Sequence, residues 1–368
     1  MIPLLDTTKQ LFPIRMEIDQ AIANVLNSGN YVLGPHVEQF EDAFARQHGV
    51  RYAIGCNTGT SALHLILRAL DVKPGDEVIT VSMTFAATVA AICYTGATPV
   101  LVDIDPVTWT MDPQQLESAI TPRTRAIVPV HLHGRVADMK QICQIANCAG
   151  VPVVEDAAQA HLASLGGTKV GSFGIAGAFS FYPGKNLGAC GEGGAVTTND
   201  EHIADSIRML RNWGARDKYN QETLAYNYRM DAVQGAILNV KLRHLGKWTA
   251  RRQEIARRYE VLRKLAQIQL PIASADTSSH VFHIYSLLVP DQRDAAEYLS
   301  GVGIGTGFHY PIPVHKQPAY SALVVNHGDL TVTNAFASQC LSIPLHPDLD
   351  DTEVNHIIEM IGNRYANC

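Results

Sequence analysis

The chain has 368 residues, 46% of them apolar and 17% charged, and a net charge of −6. That length exceeds what one hydrophobic core usually sustains, and the apolar share excludes a disordered chain. The acidic balance, with no run of lysines or arginines, excludes the basic footprint of a nucleic-acid partner and a polybasic membrane attachment.

Ile18, Ala21, Ile22, Val25 and Leu26 recur at helical spacing before Gly29, which predicts a surface helix closed by a glycine cap. The next helix is predicted to start near Thr60. No charge occurs between Glu77 and Asp103, enough residues for a membrane span, but Gly96, Pro99 and several threonines predict strand, buried helix, turn and strand instead. Short β-branched runs at Val78 to Val81, Pro99 to Val102, Ala126 to Val130, Val151 to Val154, Ala178 to Phe181 and Ala195 to Thr198 alternate with helical or irregular segments. Such alternation predicts an α/β fold around a mainly parallel sheet. Near Leu245 the character changes: Trp248 to Leu265 reads as a long Arg-rich helix, His280 to Val289 as a strand, and Val354, Ile357, Ile358 and Ile361 as one face of a final helix. A large domain over 1–245 and a small one over 246–368 are expected.

The seven cysteines, at 56, 93, 143, 148, 190, 340 and 368, lack the paired spacing of a disulfide framework or zinc site. Met1 to Asp6 has no basic region ahead of a long apolar stretch, so a cytoplasmic location is the expectation. His131 and His133 have no carboxylate or cysteine close by in sequence, and no metal is expected. Gly184-Lys185 lacks the upstream glycine of a nucleotide P-loop, and the glycines from Gly301 to Gly307 have the wrong spacing for a dinucleotide fingerprint.

Two segments carry the chemistry. Ala178 to Gly194 sets a lone lysine, Lys185, in a glycine-rich turn after a strand-like run; Val153 to His161 ends another apolar run in the acids Glu155 and Asp156. An amine able to form a Schiff base and a carboxylate able to keep a pyridine nitrogen protonated are what pyridoxal phosphate chemistry requires. Thr58-Gly59-Thr60 precedes a helical run, where backbone N–H groups can receive a phosphate; the same residues also make an ordinary helix cap.

The segments Asn57 to His64, Thr84 to Thr88, Glu155 to His161, Ser180 to Gly194 and Tyr226 to Arg229 occur in an order that resembles the DegT/StrS-type sugar aminotransferases. The likeness runs from Gly34 to His315. It implies a pyridoxal-phosphate-dependent transferase of fold type I, with a mainly parallel central sheet flanked by helices and a smaller C-terminal α/β domain. In that family Lys185 matches the Schiff-base lysine, which also moves the proton, and Asp156 the partner of the pyridine nitrogen, with Glu155 the lesser candidate. Gly59, Thr60 and Ser180 match phosphate ligands, Phe85 the aromatic that stacks on the cofactor, and Gln159 a cofactor contact. His161 either buttresses Asp156 or packs. Asn227 matches an asparagine that reaches the phosphate of the neighbouring subunit, which implies a homodimer with shared active sites. His309, Tyr310 and Lys316 match a segment near the sugar or its diphosphate; Lys218 and Arg229 are further basic candidates, and Tyr31 is a candidate for the substrate mouth. Two departures, His133 in place of a common tyrosine and Val89-Ala90 in place of a more polar pair, are expected to alter the sugar pocket. The implied activity is amino transfer from glutamate to a keto group, leaning to a 3-keto group, of a nucleotide-linked deoxysugar. A cyclitol acceptor, or a non-catalytic regulatory protein on the same fold, is the alternative; a dehydratase of this family would replace the lysine by histidine.

Overall fold

The computed structural model describes residues 1–216, 219–273 and 276–366. Helices α1 (Thr7–Leu11), α2 (Arg15–Ser28) and α3 (Pro35–His48) lead into strand β1 (Tyr52–Cys56) and helix α4 (Gly59–Ala69). There follow β2 (Glu77–Val81), α5 (Ala86–Tyr94), β3 (Thr98–Val102), α6 (Leu116–Ala119), β4 (Thr124–Ile127), α7 (Met139–Ala149) and β5 (Val154–Asp156). A short hairpin of β6 (Ser164–Leu165) and β7 (Thr168–Lys169) precedes β8 (Ala176–Ser180), β9 (Gly194–Thr198), α8 (Glu201–Leu210) and α9 (Ala232–Tyr259). The remainder is β10 (Tyr285–Leu288), α10 (Gln292–Gly301), β11 (Val325–Asn326), α11 (Thr331–Gln339), β12 (Cys340–Ile343) and α12 (Asp351–Tyr365).

The main sheet has the order β1-β9-β8-β5-β4-β2-β3-β11. Its two halves join where Ile127 N donates to Pro152 O at 3.0 Å and Asp156 N to Pro129 O at 2.9 Å. Strand β9 alone runs against the others, so the sheet is mainly parallel, as expected. Because the parallel strands share one direction, β2, β5 and β8 deliver the residues that follow them to the same edge.

Differences from the expected elements have local causes. Strand β4 stops at Ile127 and β5 starts only at Val154, because Pro129 and Pro152 each lack the N–H that continued pairing needs. Helix α3 was not anticipated, although Val37, Phe40 and Phe44 lie on one buried face and Pro35 occupies its first turn. Strand β1 also went unread; Gly55 interrupts its apolar run, and a Cβ there would lie 3.1 Å from Met230 Sδ and 3.3 Å from Val37 Cγ1, while its N and O are bonded to the buried pair of Glu41 and Arg211. Helix α9 starts at Ala232 rather than Trp248, since Ala236, Ile237, Val240 and Leu245 already form its buried face. The expected boundary at 245/246 thus falls within an unbroken helix. The uncharged stretch folds as the strand, buried helix, turn and strand that its residues predicted, and no helix among the described residues is long and apolar enough to cross a membrane.

A separate core holds Ile255, Tyr259, Leu287, Leu299, Leu341, Ile357 and Ile361 around the antiparallel pair β10 and β12, and Ile2 from the other end of the chain joins it. Under the main sheet, Phe44 of α3 meets Phe179 and Phe181 edge-on at 5.0 and 5.4 Å, bracing the strand that leads to Lys185. Phe44 is fully buried, and Phe44→Ala is expected to cost about 3–5 kcal/mol of unfolding free energy in urea titrations. A loss below about 1 kcal/mol would show that this cluster does not brace the strand.

Candidate active site

A cavity of about 650 Å³ opens at the C-terminal edge of the parallel strands. Beyond β8 the chain turns at Pro183 and Gly184, with Lys185 N donating to Tyr182 O at 2.8 Å. Gly188 closes this turn so tightly that a Cβ there would lie 2.3 Å from Pro183 O. Lys185 lines the cavity, and burial lowers its amine to about 8 against the pull of the Asp156 charge.

Asp156 ends β5 and is buried facing the same cavity. It accepts from Thr88 Oγ1 at 2.7 Å and Ala158 N at 3.2 Å. Burial pushes its carboxyl above the ordinary range, while these hydrogen bonds and the Lys185 charge act in the opposite direction. Glu155 is turned away from the cavity, as alternation along a strand requires. Its oxygens accept from Gly171 N, Phe173 N and Gly174 N at 2.8, 2.8 and 3.0 Å, and meet His131 Nε2 at 3.1 Å. Gln159 is held at both ends, accepting from His133 N at 2.6 Å and donating to Tyr310 Oη at 3.1 Å. His161 packs between Phe179 and Phe181 and makes no hydrogen bond to Asp156, so the packing alternative holds.

Across the cavity, helix α4 begins. Thr58 caps it, accepting from Ser61 N at 3.0 Å, and leaves to the cavity the Gly59 and Thr60 N–H groups of a first turn, which have no intrahelical partner. The helix start is pressed against the sheet: a Cβ at Gly59 would lie 2.6 Å from Ser180 Cβ, and one at Gly194 would lie 2.3 Å from Thr58 C. Phe85 precedes α5 with its ring exposed on the cavity wall, 5.8 Å from the ring of Tyr310. His309 also lines the wall; burial lowers its imidazole to about 4.

The structure therefore brings together Gly59, Thr60, Phe85, Asp156, Gln159, Ser180, Lys185, His309 and Tyr310. Asn227, Arg229, Tyr31 and Lys316 do not line the cavity of their own chain: Arg229 donates to Asn212 Oδ1 at 3.2 Å, and Tyr31, Asn227 and Lys316 are exposed. Lys218 lies outside the described residues. Neither departure from the family pattern forms a cavity wall: His133 acts behind it, bonded to Gln159 and to His309 O at 3.0 Å, and Val89 packs against Leu101, Val314 and Leu330. The sequence reading missed Leu4, Leu5, Glu192, His283, Ile343 and Leu345 on the lining. Glu192 lay unremarked in the glycine-rich segment after Lys185, and the others carried only apolar character or membership of a strand-like run, which does not mark a cavity.

Pyridoxal phosphate fits these residues. A Cβ-free cradle at a helix start suits a phosphate, an exposed aromatic face suits a flat ring, and a buried carboxylate and an amine of lowered pKa suit the two ends of a pyridine aldehyde. The amine has a consequence for stability of the cofactor-free chain. The folded chain releases this proton near 8, the unfolded chain near 10.5, so unfolding takes up a proton in that window and stability rises with pH across it. Lys185→Met is expected to be more stable than the unchanged chain at about pH 7, with an advantage that shrinks toward about pH 10 in urea titrations; an advantage that grows with pH would contradict the lowered amine.

The sequence profile of the DegT/DnrJ/EryC1/StrS aminotransferase family matches residues 13–362. A protein of Geobacillus stearothermophilus named "Pleiotropic regulatory protein" is 41% identical over 368 residues, 100% of this chain and 99% of that protein. The dTDP-3-amino-3,4,6-trideoxy-alpha-D-glucose transaminase of Streptomyces venezuelae is 44% identical over 361 residues, 98% of this chain and 95% of the transaminase. The crystal structure of S. venezuelae DesV in complex with a ketimine intermediate superposes with a TM-score of 0.97 at 43% identity, covering 100% of this chain and 99% of that one. With the fold, the cavity and this match over nearly its whole length in agreement, the chain belongs to the DegT/DnrJ/EryC1/StrS aminotransferase family.

Proposed function

We propose that this aminotransferase uses pyridoxal phosphate to move an amino group from glutamate to the 3-keto group of a nucleotide-linked deoxysugar, as a homodimer of the cytoplasm. The observation that carries the reading is the convergence of Lys185, Asp156 and the start of α4 on one cavity. The likeness to a transaminase named for a 3-amino trideoxysugar nucleotide supports the acceptor class.

When bound, pyridoxal phosphate supplies a carbon that takes up the amino group and a ring that accepts the electron pair left when a proton leaves the donor. Gly59, Thr60 and Ser180 would hold its phosphate, Phe85 and Gln159 would contact its ring, and Asp156 would keep the pyridine nitrogen protonated. Lys185 would anchor the group, and its free amine would be the base that moves the proton leaving the donor Cα. Its lowered pKa suits this work, because the neutral fraction of the amine near pH 7, about a tenth, is far larger than for a lysine at its ordinary value. Two half-reactions in sequence give ping-pong kinetics. A regulatory role finds support in the name of the Geobacillus relative, yet such a role needs neither an amine nor a carboxylate buried in this arrangement.

Lys185→Ala is expected to bind the cofactor without the near-visible band of the lysine-linked form and to lose at least about 10³-fold in kcat. In the unsubstituted protein, glutamate should shift that band to shorter wavelength before any acceptor is added; a band unmoved by glutamate would sink the donor assignment. The shared site predicts complementation: inactive Lys185→Ala and Asn227→Ala subunits, mixed and re-associated, should regain activity in the mixed dimer. No recovery from a verified mixed dimer would show that Asn227 does not serve its neighbour.

A further inference from the structure

Asn186, the residue after the lysine, is buried, and its carboxamide has one orientation. Nδ2 donates to Val281 O at 3.0 Å, which leaves Oδ1 to face His283 Nδ1 at 3.3 Å. An amide oxygen only accepts, so His283 Nδ1 carries a proton. Burial holds this imidazole well below its ordinary pKa, and the charges of Lys185 and Arg252 act in the same direction. A neutral ring protonated on Nδ1 presents a bare lone pair on Nε2. His283 lines the cavity with Lys185, and among the described residues no protein group is bonded to Nε2. The backbone keeps the ring in place: His283 N donates to His133 O at 2.9 Å, and Arg252 Nη1 donates to Phe282 O at 3.0 Å and to His283 O at 3.5 Å.

We propose that His283 Nε2 accepts a hydrogen bond from a hydroxyl of the acceptor sugar, which makes His283 a specificity-determining residue of this site. The proposal rests on the nucleotide-ketosugar reading above. A bare lone pair needs a donor as its ligand. Glutamate brings two carboxylates, which only accept near neutral pH, and its one donor group is the amine being transferred. A pyranose ring brings hydroxyls. His309 is not equivalent, because its Nδ1 meets Ser342 Oγ at 2.8 Å and a hydroxyl can donate or accept, which leaves that tautomer unset.

Two substitutions separate this role from a structural one. His283→Asn keeps an amide N–H for Asn186 and removes the distal acceptor, whereas His283→Gln carries a carboxamide oxygen toward the place of Nε2. The first is expected to raise KM for the acceptor about tenfold, the scale of one neutral hydrogen bond in a buried site, with the glutamate half-reaction and Tm of the holoenzyme little changed. The second should recover most of that loss. A readout independent of turnover is ¹⁵N NMR of histidine-labelled holoenzyme, with the His283 signals identified by their absence in His283→Asn. These should report a proton on Nδ1 and none on Nε2, and the Nε2 signal should move when the aminosugar nucleotide product is added. Unchanged acceptor kinetics in His283→Asn, equal slowing of both half-reactions, or a proton on Nε2 would each overturn the proposal while the wild type still turns over ketosugar. A wild type that turns over no nucleotide ketosugar would instead sink the functional reading, and this proposal with it.

Discussion

Lys185 and Asp156 are buried groups of opposite charge type on one cavity, yet they form no ion pair with each other. Opposite charges in such surroundings attract strongly, and a direct pair would tie the amine down. The structure avoids this by giving the carboxylate other donors: Thr88 from the start of α5 and the backbone of Ala158. The lysine is left as an amine whose proton is held loosely, because burial works against its charge more than Asp156 works for it. The sheet, the glycine-closed turn after β8 and the aromatic brace beneath it keep the two groups apart while facing the same space.

The chemistry of the site was more legible in the sequence than its walls. Lys185 stood out because its Pro183-Gly184 turn and glycine-rich continuation suit a backbone approaching a ligand closely, and Asp156 because an acid at the end of an apolar run can serve either as a helix cap or as a ring partner. Choosing between Glu155 and Asp156 required the family likeness, since adjacent residues on a strand face opposite ways and the sequence does not say which face is the cavity. In the structure Glu155 faces away from the cavity and is consumed by three backbone amides and His131. The phosphate end was readable as a helix start, but the need for Gly59 and Gly194 comes from atoms more than a hundred residues away in sequence.

Where the reading fell short, tertiary packing overrode local signals. Strand limits moved to the prolines; α3 was invisible because its apolar face is short and its polar residues dominate the composition; α9 began early because Gly235 lets it approach α3 closely, a Cβ there lying 3.1 Å from Val37 Cα. Arg229, Asn227, Tyr31 and Lys316 lie off the cavity of their own chain, so any part they play depends on a second subunit or on substrate reaching outward. His283 and the leucines at positions 4 and 5 were missed for the opposite reason: they come from a strand-like run and from the first residues of the chain, and only folding carries them to the lysine.

The two ends of the cavity also differ in how much change they can absorb over evolutionary time. At the start of α4, the helix meets the sheet across Gly59 and Gly194, and any side chain there would force the helix off the sheet. The opposite wall is made of side chains, Leu4, Leu5, Ile284, Ile343 and Leu345, supplied by three separate stretches of chain. Such a wall can exchange one residue at a time without disturbing its neighbours' backbone. A lineage built on this scaffold is therefore free to reshape that wall while the junction of α4 with the sheet stays fixed.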